Sequence, residues 1–128
     1  MLSNEDCPEI VVVRAQLKAW ERLDWQAAAA MFKPDGRFAM AMLDPVVGRE
    51  SILAFLQSFS GNCTRMKIDI LEIGIINGKV FAERVDRFDY GAHEIDLPCV
   101  GIFEIEDGLI LEWREYFDRN SIVSPASA

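Results

Sequence analysis

Arg84, Asp86 and Glu115 are charged residues at positions where strand alternation calls for apolar ones. Across residues 80–90 the even positions read Val80, Ala82, Arg84, Asp86, Phe88 and Tyr90, while Glu83, Arg87 and Asp89 take odd ones. Successive side chains of a strand point to opposite faces, so Arg84 and Asp86 fall on the apolar face. The last strand repeats the pattern. Leu109, Leu111, Trp113, Glu115 and Phe117 share one parity; Glu112, Arg114 and Asp118 share the other. A buried charge is costly unless paired, and one arginine between two carboxylates is a paired solution. Two carboxyl groups in a dry pocket, pushed to different pKa values by their surroundings, supply an acid and a base without histidine. Such a pair can protonate one atom while taking a proton from water in the same step. Opening of an epoxide by water needs that combination and requires no metal, cofactor or covalent nucleophile. The same three residues also fit a structural ion-pair network, since such networks perturb pKa values too.

The elements that must position these residues follow from local signals. Asp6 and Pro8 open a helix as cap and first-turn proline, and Ile10, Val13, Leu17 and Trp20 recur at helical spacing. Asp24 caps a second, alanine-rich helix over 25–32. Lys33-Pro34-Asp35-Gly36 reads as a loop, 37–42 as a short strand, and Leu43-Asp44-Pro45 as its end. Gly48 precedes a third helix over 49–59, with Ile52, Phe55, Leu56 and Phe59 on one side. Four strands follow, over 64–76, 79–90, 93–106 and 109–118. The turns between them are Asn77-Gly78, Gly91-Ala92 and Asp107-Gly108. Pro98 predicts a bulge or an exposed edge in the third of these. Helices first and an antiparallel meander after them is an α+β arrangement, with the helices against one face of a sheet. A sheet curled around them encloses a pocket walled by the apolar parity. Residues 121–128 read as a frayed tail of a single domain spanning 1–128.

With 128 residues the chain can bury a real core, and a formal charge of −8 argues against nucleic acid or an anionic membrane surface as partner. Cys7, Cys63 and Cys99 form no CxxC pair; an odd, scattered set predicts free thiols in a reducing cytoplasm. The acidic, polar N-terminus is no signal peptide, and no apolar run reaches the roughly 20 residues a membrane helix needs. His93 stands among polar residues at a hairpin end and is given no role.

Glu83-Arg84-Val85-Asp86 and Trp113-Arg114-Glu115-Tyr116-Phe117-Asp118 resemble the two strand signatures of the limonene-1,2-epoxide hydrolases. These belong to the cone-shaped superfamily that includes nuclear transport factor 2, ketosteroid isomerase and the polyketide cyclases. Asn77-Gly78, Gly101 to Phe103 before an acidic turn, and Gly48-Arg49 are similar in order, so the resemblance runs from Asp24 to Asp118. It implies an NTF2-like cone and a homodimer formed through the sheet. It also implies Asp86 as the acid to the epoxide oxygen, Arg84 as the bridge, and Glu115 as the base toward water. The family carries an aspartate where Glu115 stands. It carries a tyrosine and an asparagine that help hold the water where Phe38 and Met40 stand, and these two cannot make those hydrogen bonds.

Phe38, Met40, Trp113, Phe88, Phe103 and Cys99 are the expected substrate-binding walls, with core packing as the alternative for the aromatics. Trp20, Trp25 and Met31 are expected to pack helix against sheet. Residues 70–76 are apolar on both parities, which predicts burial on both faces or a dimer contact. The expected function is hydrolysis of an epoxide on a hydrophobic small molecule. Two rivals remain: an isomerase, cyclase or dehydratase in which Asp86 or Glu115 abstracts a carbon-bound proton, and a ligand-binding protein that kept only the fold.

Overall fold

The computed structural model describes residues 7–123. Helix α1 (Pro8–Glu21) begins with proline at its first position, where the missing N–H costs nothing. Its N-cap is Cys7, whose carbonyl accepts from Val11 N at 3.0 Å; Asp6 lies outside the described residues. Helix α2 (Trp25–Ala30) is capped by Asp24, which accepts from Ala27 N at 3.1 Å. It stops two residues before the expected end, because Phe32 already starts strand β1 (Phe32–Met40).

Strand β1 runs parallel to β6 (Leu109–Phe117), pairing Phe32 with Ile110 and Phe38 with Trp113. The residues between Phe32 and Arg37 break the ladder, so the expected loop is an irregularity inside a strand rather than a gap before one. Gly36 makes that detour possible. A Cβ there would meet Lys33 O at 3.0 Å, Ile110 O at 3.1 Å and Phe32 Cβ at 3.2 Å. A two-residue strand, β2 (Val46–Val47), has no strong signal of its own and forms by pairing antiparallel with β1. Helix α3 (Arg49–Ser60) follows, and Arg49 donates through Nε and Nη2 to Phe32 O at 2.8 and 2.6 Å.

The remaining strands form the expected meander: β3 (Cys63–Ile76), β4 (Lys79–Tyr90), β5 (His93–Glu106) and β6. Asn77-Gly78 and Asp107-Gly108 turn with φ of 53° and 75°, and 54° and 76°, the left-handed pair that matches strand twist. The sheet order is β2-β1-β6-β5-β4-β3, curled over the three helices. The short helix α4 (Asn120–Val123) takes up the start of the expected frayed tail; residues 124–128 lie outside the described ones.

One strand reading needs correction, and another is resolved between its two alternatives. Leu109 and Leu111 do not share the inward face with Trp113 and Glu115. The β5–β6 register slips between Glu104 and Ile105, which leaves Leu111 as an extra residue and turns Ile110 inward, fully buried. Pro98 causes no bulge; its pairing with Val85 is regular. It is exposed one residue beyond Cys99, the last β5 residue paired with β6.

The core joins Ile10, Val13 and Leu17 of α1 and Ile52 and Leu56 of α3 to Phe32, Phe38, Val80, Phe103, Ile110 and Trp113 of the sheet. Gly36→Ala should cost about 1–3 kcal/mol, because the added methyl group presses on two backbone carbonyls. Urea unfolding of the variant checks this; an unchanged midpoint would show that the β1 detour relaxes freely.

Candidate active site

Strand β4 turns Val80, Ala82, Arg84, Asp86 and Phe88 inward, as alternation requires. Arg84 is 1% exposed, Asp86 9% and Glu115 7%. Arg84 Nε donates to Asp86 Oδ1 at 3.1 Å and Nη2 to Asp86 Oδ2 at 2.8 Å. The same Nη2 donates to Glu115 Oε2 at 2.9 Å. The guanidinium therefore grips one carboxylate with two nitrogens and the other with one.

Strand β5 lies between β4 and β6, so Arg84 must reach across it. Gly101 leaves the way open. A Cβ at Gly101 would stand 2.8 Å from Arg84 Nη1 and 2.9 Å from Trp113 Nε1. The guanidinium carbon also lies 5.9 Å from the centre of the Trp113 ring, within cation–π range. Gly101 was legible in the sequence as part of a family-like segment, but its clearance role depends on the register across three strands.

The carboxyl groups open on a cavity of about 80 Å³. Of the expected wall residues, Phe38, Met40 and Phe88 line it together with Asp86 and Glu115. Trp113, Phe103 and Cys99 do not line it. Trp113 lies behind Phe38, ring centres 4.8 Å apart, and Phe103 lies behind Trp113 at 4.7 Å. Cys99 is buried, with Sγ 3.8 Å from Arg84 O, and burial pushes its thiol well above the usual range.

The helices supply walls that parity along strands could not show. Trp20 of α1 and Phe55 and Phe59 of α3 face the cavity. The spacing of Phe55 and Phe59 marked an inward helical face; only the packing of α3 against the sheet set that face over the carboxyls. Trp20 is thus a wall as well as a packing residue. Its Nε1 donates to Gln16 Oε1 at 2.9 Å, and Gln16 Nε2 donates to Ala28 O at 2.9 Å. That chain satisfies a fully buried glutamine and fixes the indole.

A wider groove of about 250 Å³ runs between α1 and β3 past Arg14, Lys18, Glu21 and Asp69. None of the inward carboxyls reaches it. The buried carboxyls therefore open on the smaller cavity, where charge is desolvated. Among the described residues no group of three or more His, Cys, Asp or Glu is arranged to hold a metal ion.

Burial raises the Glu115 carboxyl from 4.5 to about 7, against the opposing pull of Arg84. Burial would by itself lower the Arg84 value; Glu115 and Asp86 outweigh it and keep the guanidinium charged. Among the described residues, Arg84 Nη1, Trp113 Nε1 and Glu115 Oε1 are buried without a hydrogen-bond partner. The Trp113 indole N–H also favours the ionised Glu115, as the weakest of these influences.

The folded chain binds the Glu115 proton more tightly than the unfolded chain does. This stability is fully present below about pH 4.5 and is lost as pH rises through about 7. The loss is on the order of 3 kcal/mol. Unfolding free energies at about pH 5 and about pH 8 should therefore fall further for the wild type than for Glu115→Gln. Parallel pH dependence in the two proteins would mean that Glu115 ionises as an ordinary carboxyl.

The family described as "Limonene-1,2-epoxide hydrolase catalytic domain" matches residues 7–127. The chain is 27% identical over 106 residues to epoxide hydrolase EphG of Mycobacterium tuberculosis, covering 83% of this chain and 70% of that protein. A solved M. tuberculosis LEH-like epoxide hydrolase superposes with a TM-score of 0.79 at 26% identity, covering 91% of this chain and 86% of that one. A protein with a ketosteroid isomerase-like fold from Catenulispora acidiphila superposes with a TM-score of 0.81 at 18% identity, over 91% and 92% of the two chains. The last likeness concerns the cone fold alone, whereas the family match spans every described residue. The chain belongs to the limonene-1,2-epoxide hydrolase family.

Proposed function

We propose that the protein hydrolyses an epoxide on a hydrophobic small molecule to a diol by one-step attack of water, with no metal and no covalent intermediate. The observation that carries this reading is one buried arginine shared by two carboxyl groups at the wall of an apolar cavity. One carboxyl gives its proton to the ring oxygen while the other takes a proton from the attacking water. Arg84 holds both and keeps the pair from carrying two uncompensated charges. The family relationship supports the same reading.

The proposed substrate has little polarity beyond its epoxide, because Trp20, Phe38, Met40, Phe55, Phe59 and Phe88 offer hydrocarbon. A cavity of about 80 Å³ is small beside the roughly 300–1,000 Å³ typical of pockets for drug-sized ligands. The substrate is therefore compact, or it rotates these side chains on entry.

A cytoplasmic homodimer completes the proposal. Three free cysteines suit a reducing compartment, and among the described residues no helix is long and apolar enough to cross a membrane. Leu71, Ile75 and Ile76 are 42–55% exposed on the edge strand β3, and Tyr116 of β6 is 49% exposed, as a sheet-to-sheet contact would require.

A second reading has one observation in its favour. Phe38 and Met40 offer no polar hold for water beside Glu115, so the same carboxyl pair suits an isomerase moving a proton between carbons. Epoxides incubated in ¹⁸O-labelled water separate the two: a diol carrying one solvent oxygen supports hydrolysis, and an isomer without it supports the rival. Asp86→Asn and Glu115→Gln should each lower turnover about 10²-fold or more. Arg84→Lys should also be poor, since an ammonium cannot bridge two carboxylates with a planar fork. Steady-state kinetics on folded variants checks these losses; near-full activity in either carboxyl variant would remove that residue from the mechanism.

The pH profile follows from the shared proton. Turnover should fall as pH rises through about 7, where Glu115 loses its proton and the pair has none left to give. An activity that instead climbs steadily above that pH would contradict an acid-dependent opening.

A further inference from the structure

An epoxide carrying a ring or a branched chain needs more room than a cavity of about 80 Å³ offers at rest, so part of the wall must give way to admit it. The wall is unevenly able to do so. Phe38, Met66, Phe88 and Leu97 are buried in the core clusters of the sheet. Trp20, Met40, Phe55, Phe59 and Phe117 are partly exposed, so the cavity meets solvent among them.

Two of these rim side chains are anchored. The Trp20 indole donates to Gln16 Oε1 at 2.9 Å and meets the rings of Trp25, Phe38, Phe59 and Trp113 at centre distances of 5.0–6.2 Å. Phe59 meets Trp20, Trp25, Phe88 and Tyr90 at 5.3–6.0 Å. Turning either ring would break several aromatic contacts at once. Phe55 is a stiff ring packed on Phe38 at 5.9 Å, and Phe117 packs against the cluster of Met66, Phe88 and Leu97.

Met40 is held differently. It ends β1, and its backbone is pinned: Ala41 N donates to Glu115 O at 2.8 Å, and Leu43 N donates to Met40 O at 3.0 Å. Its side chain is unbranched, turns about three bonds and carries a thioether that needs no partner. Strand β2 pairs with Arg37 and Phe38 and stops short of Met40, so that side of Met40 has no strand beside it. Beyond it the chain leaves the sheet, with Met42 94% exposed. In the parallel ladder Met40 is the direct neighbour of Glu115, so a turn of its side chain makes room beside that carboxyl.

We infer that Met40 is the side chain that yields when substrate enters, and that its flexibility sets the size of epoxide the cavity accepts. The inference rests on the epoxide-hydrolase reading of the same site. The substrate body lies against the fixed wall of Trp20 and Phe59, its epoxide faces the carboxyls, and its bulk takes the space that Met40 vacates. The class selected is a cyclic or branched hydrocarbon epoxide, since neither the fixed wall nor the yielding one offers a polar contact to a further substituent. Met40 thus decides specificity by how it moves, whereas the anchored rings decide it by where they stand.

Stiffening Met40 without changing its volume separates movement from mere space. Isoleucine is of similar size but is confined at its branched Cβ. Propylene oxide asks little movement of the wall and cyclohexene oxide asks more, so the ratio of kcat/KM for the second to that for the first reads the effect. Met40→Ile should lower this ratio roughly threefold or more, and Met40→Ala should raise it above the wild-type value. A smaller fall or a rise in Met40→Ile, or no rise in Met40→Ala, overturns the inference. Wild-type protein with ¹³C in its methionine methyl groups supplies a readout that needs no turnover. Cyclohexanol, an unreactive guest of similar shape, should shift the Met40 methyl resonance and leave the Trp20 indole N–H protected from hydrogen exchange. A Met40 methyl that does not respond, or a Trp20 N–H that loses its protection, overturns the inference. Should Met40→Ile fail to fold, the methyl and indole signals decide alone. If the wild type forms no diol from any epoxide, the hydrolase reading fails, while those signals still report which side of the cavity yields.

Discussion

The guanidinium of Arg84 is the constraint on which the rest of the site depends. It is all but inaccessible to solvent, and a charge there must be answered locally. Asp86, two residues along the same strand, answers it from the same face. Glu115 answers it from the far side of β5. Three strands therefore have to hold one register. A slip of one residue in β4 or β6 would turn a charge outward and strand its partners in hydrocarbon, and one in β5 would put a side chain where Gly101 leaves room. The bulge at Leu111 falls on the far side of Trp113 from Glu115, where it changes which leucine or isoleucine faces the core without disturbing the ion pairs.

That requirement explains two otherwise unrelated features. Gly101 has no side chain because the guanidinium and the Trp113 indole pass where a Cβ would stand. The aromatic stack of Phe38, Trp113 and Phe103 fills the space behind the pair with apolar rings that exclude water. Exclusion of water is what raises the Glu115 carboxyl, and it also makes each polar contact in the site stronger than it would be in solvent. The outer face of the same sheet shows the contrast. Arg65 with Asp89, and Arg87 with Asp69 and Asp96, make comparable pairs where water screens them, and such pairs add little.

The replacements at β1 change the character of the site rather than its frame. Phe38, buried, and Met40, half-buried, line the cavity without offering hydrogen bonds near Glu115. A wall without such groups is a poor place to hold a nucleophilic water and a good place to keep a carboxyl neutral.

The sequence by itself determined the meander, its tight turns and the inward parity of Arg84, Asp86 and Glu115. Each of these follows from short-range rules: alternation along a strand, left-handed Asn-Gly and Asp-Gly turns, an Asp cap. Local rules could not see the parallel contact of β1 with β6, which joins residues 75 to 78 positions apart and brings Phe38 and Met40 beside Trp113 and Glu115. Nor could they give the register slip at Leu111, since a bulge is settled by what both strands must bury. The reach of Arg84 across Gly101, the retreat of Trp113, Phe103 and Cys99 behind the cavity wall, and the arrival of Trp20, Phe55 and Phe59 on it are likewise tertiary facts. Alternation says which face a side chain takes. Only packing of helices against a curled sheet decides which of the inward residues meet and which lie behind them.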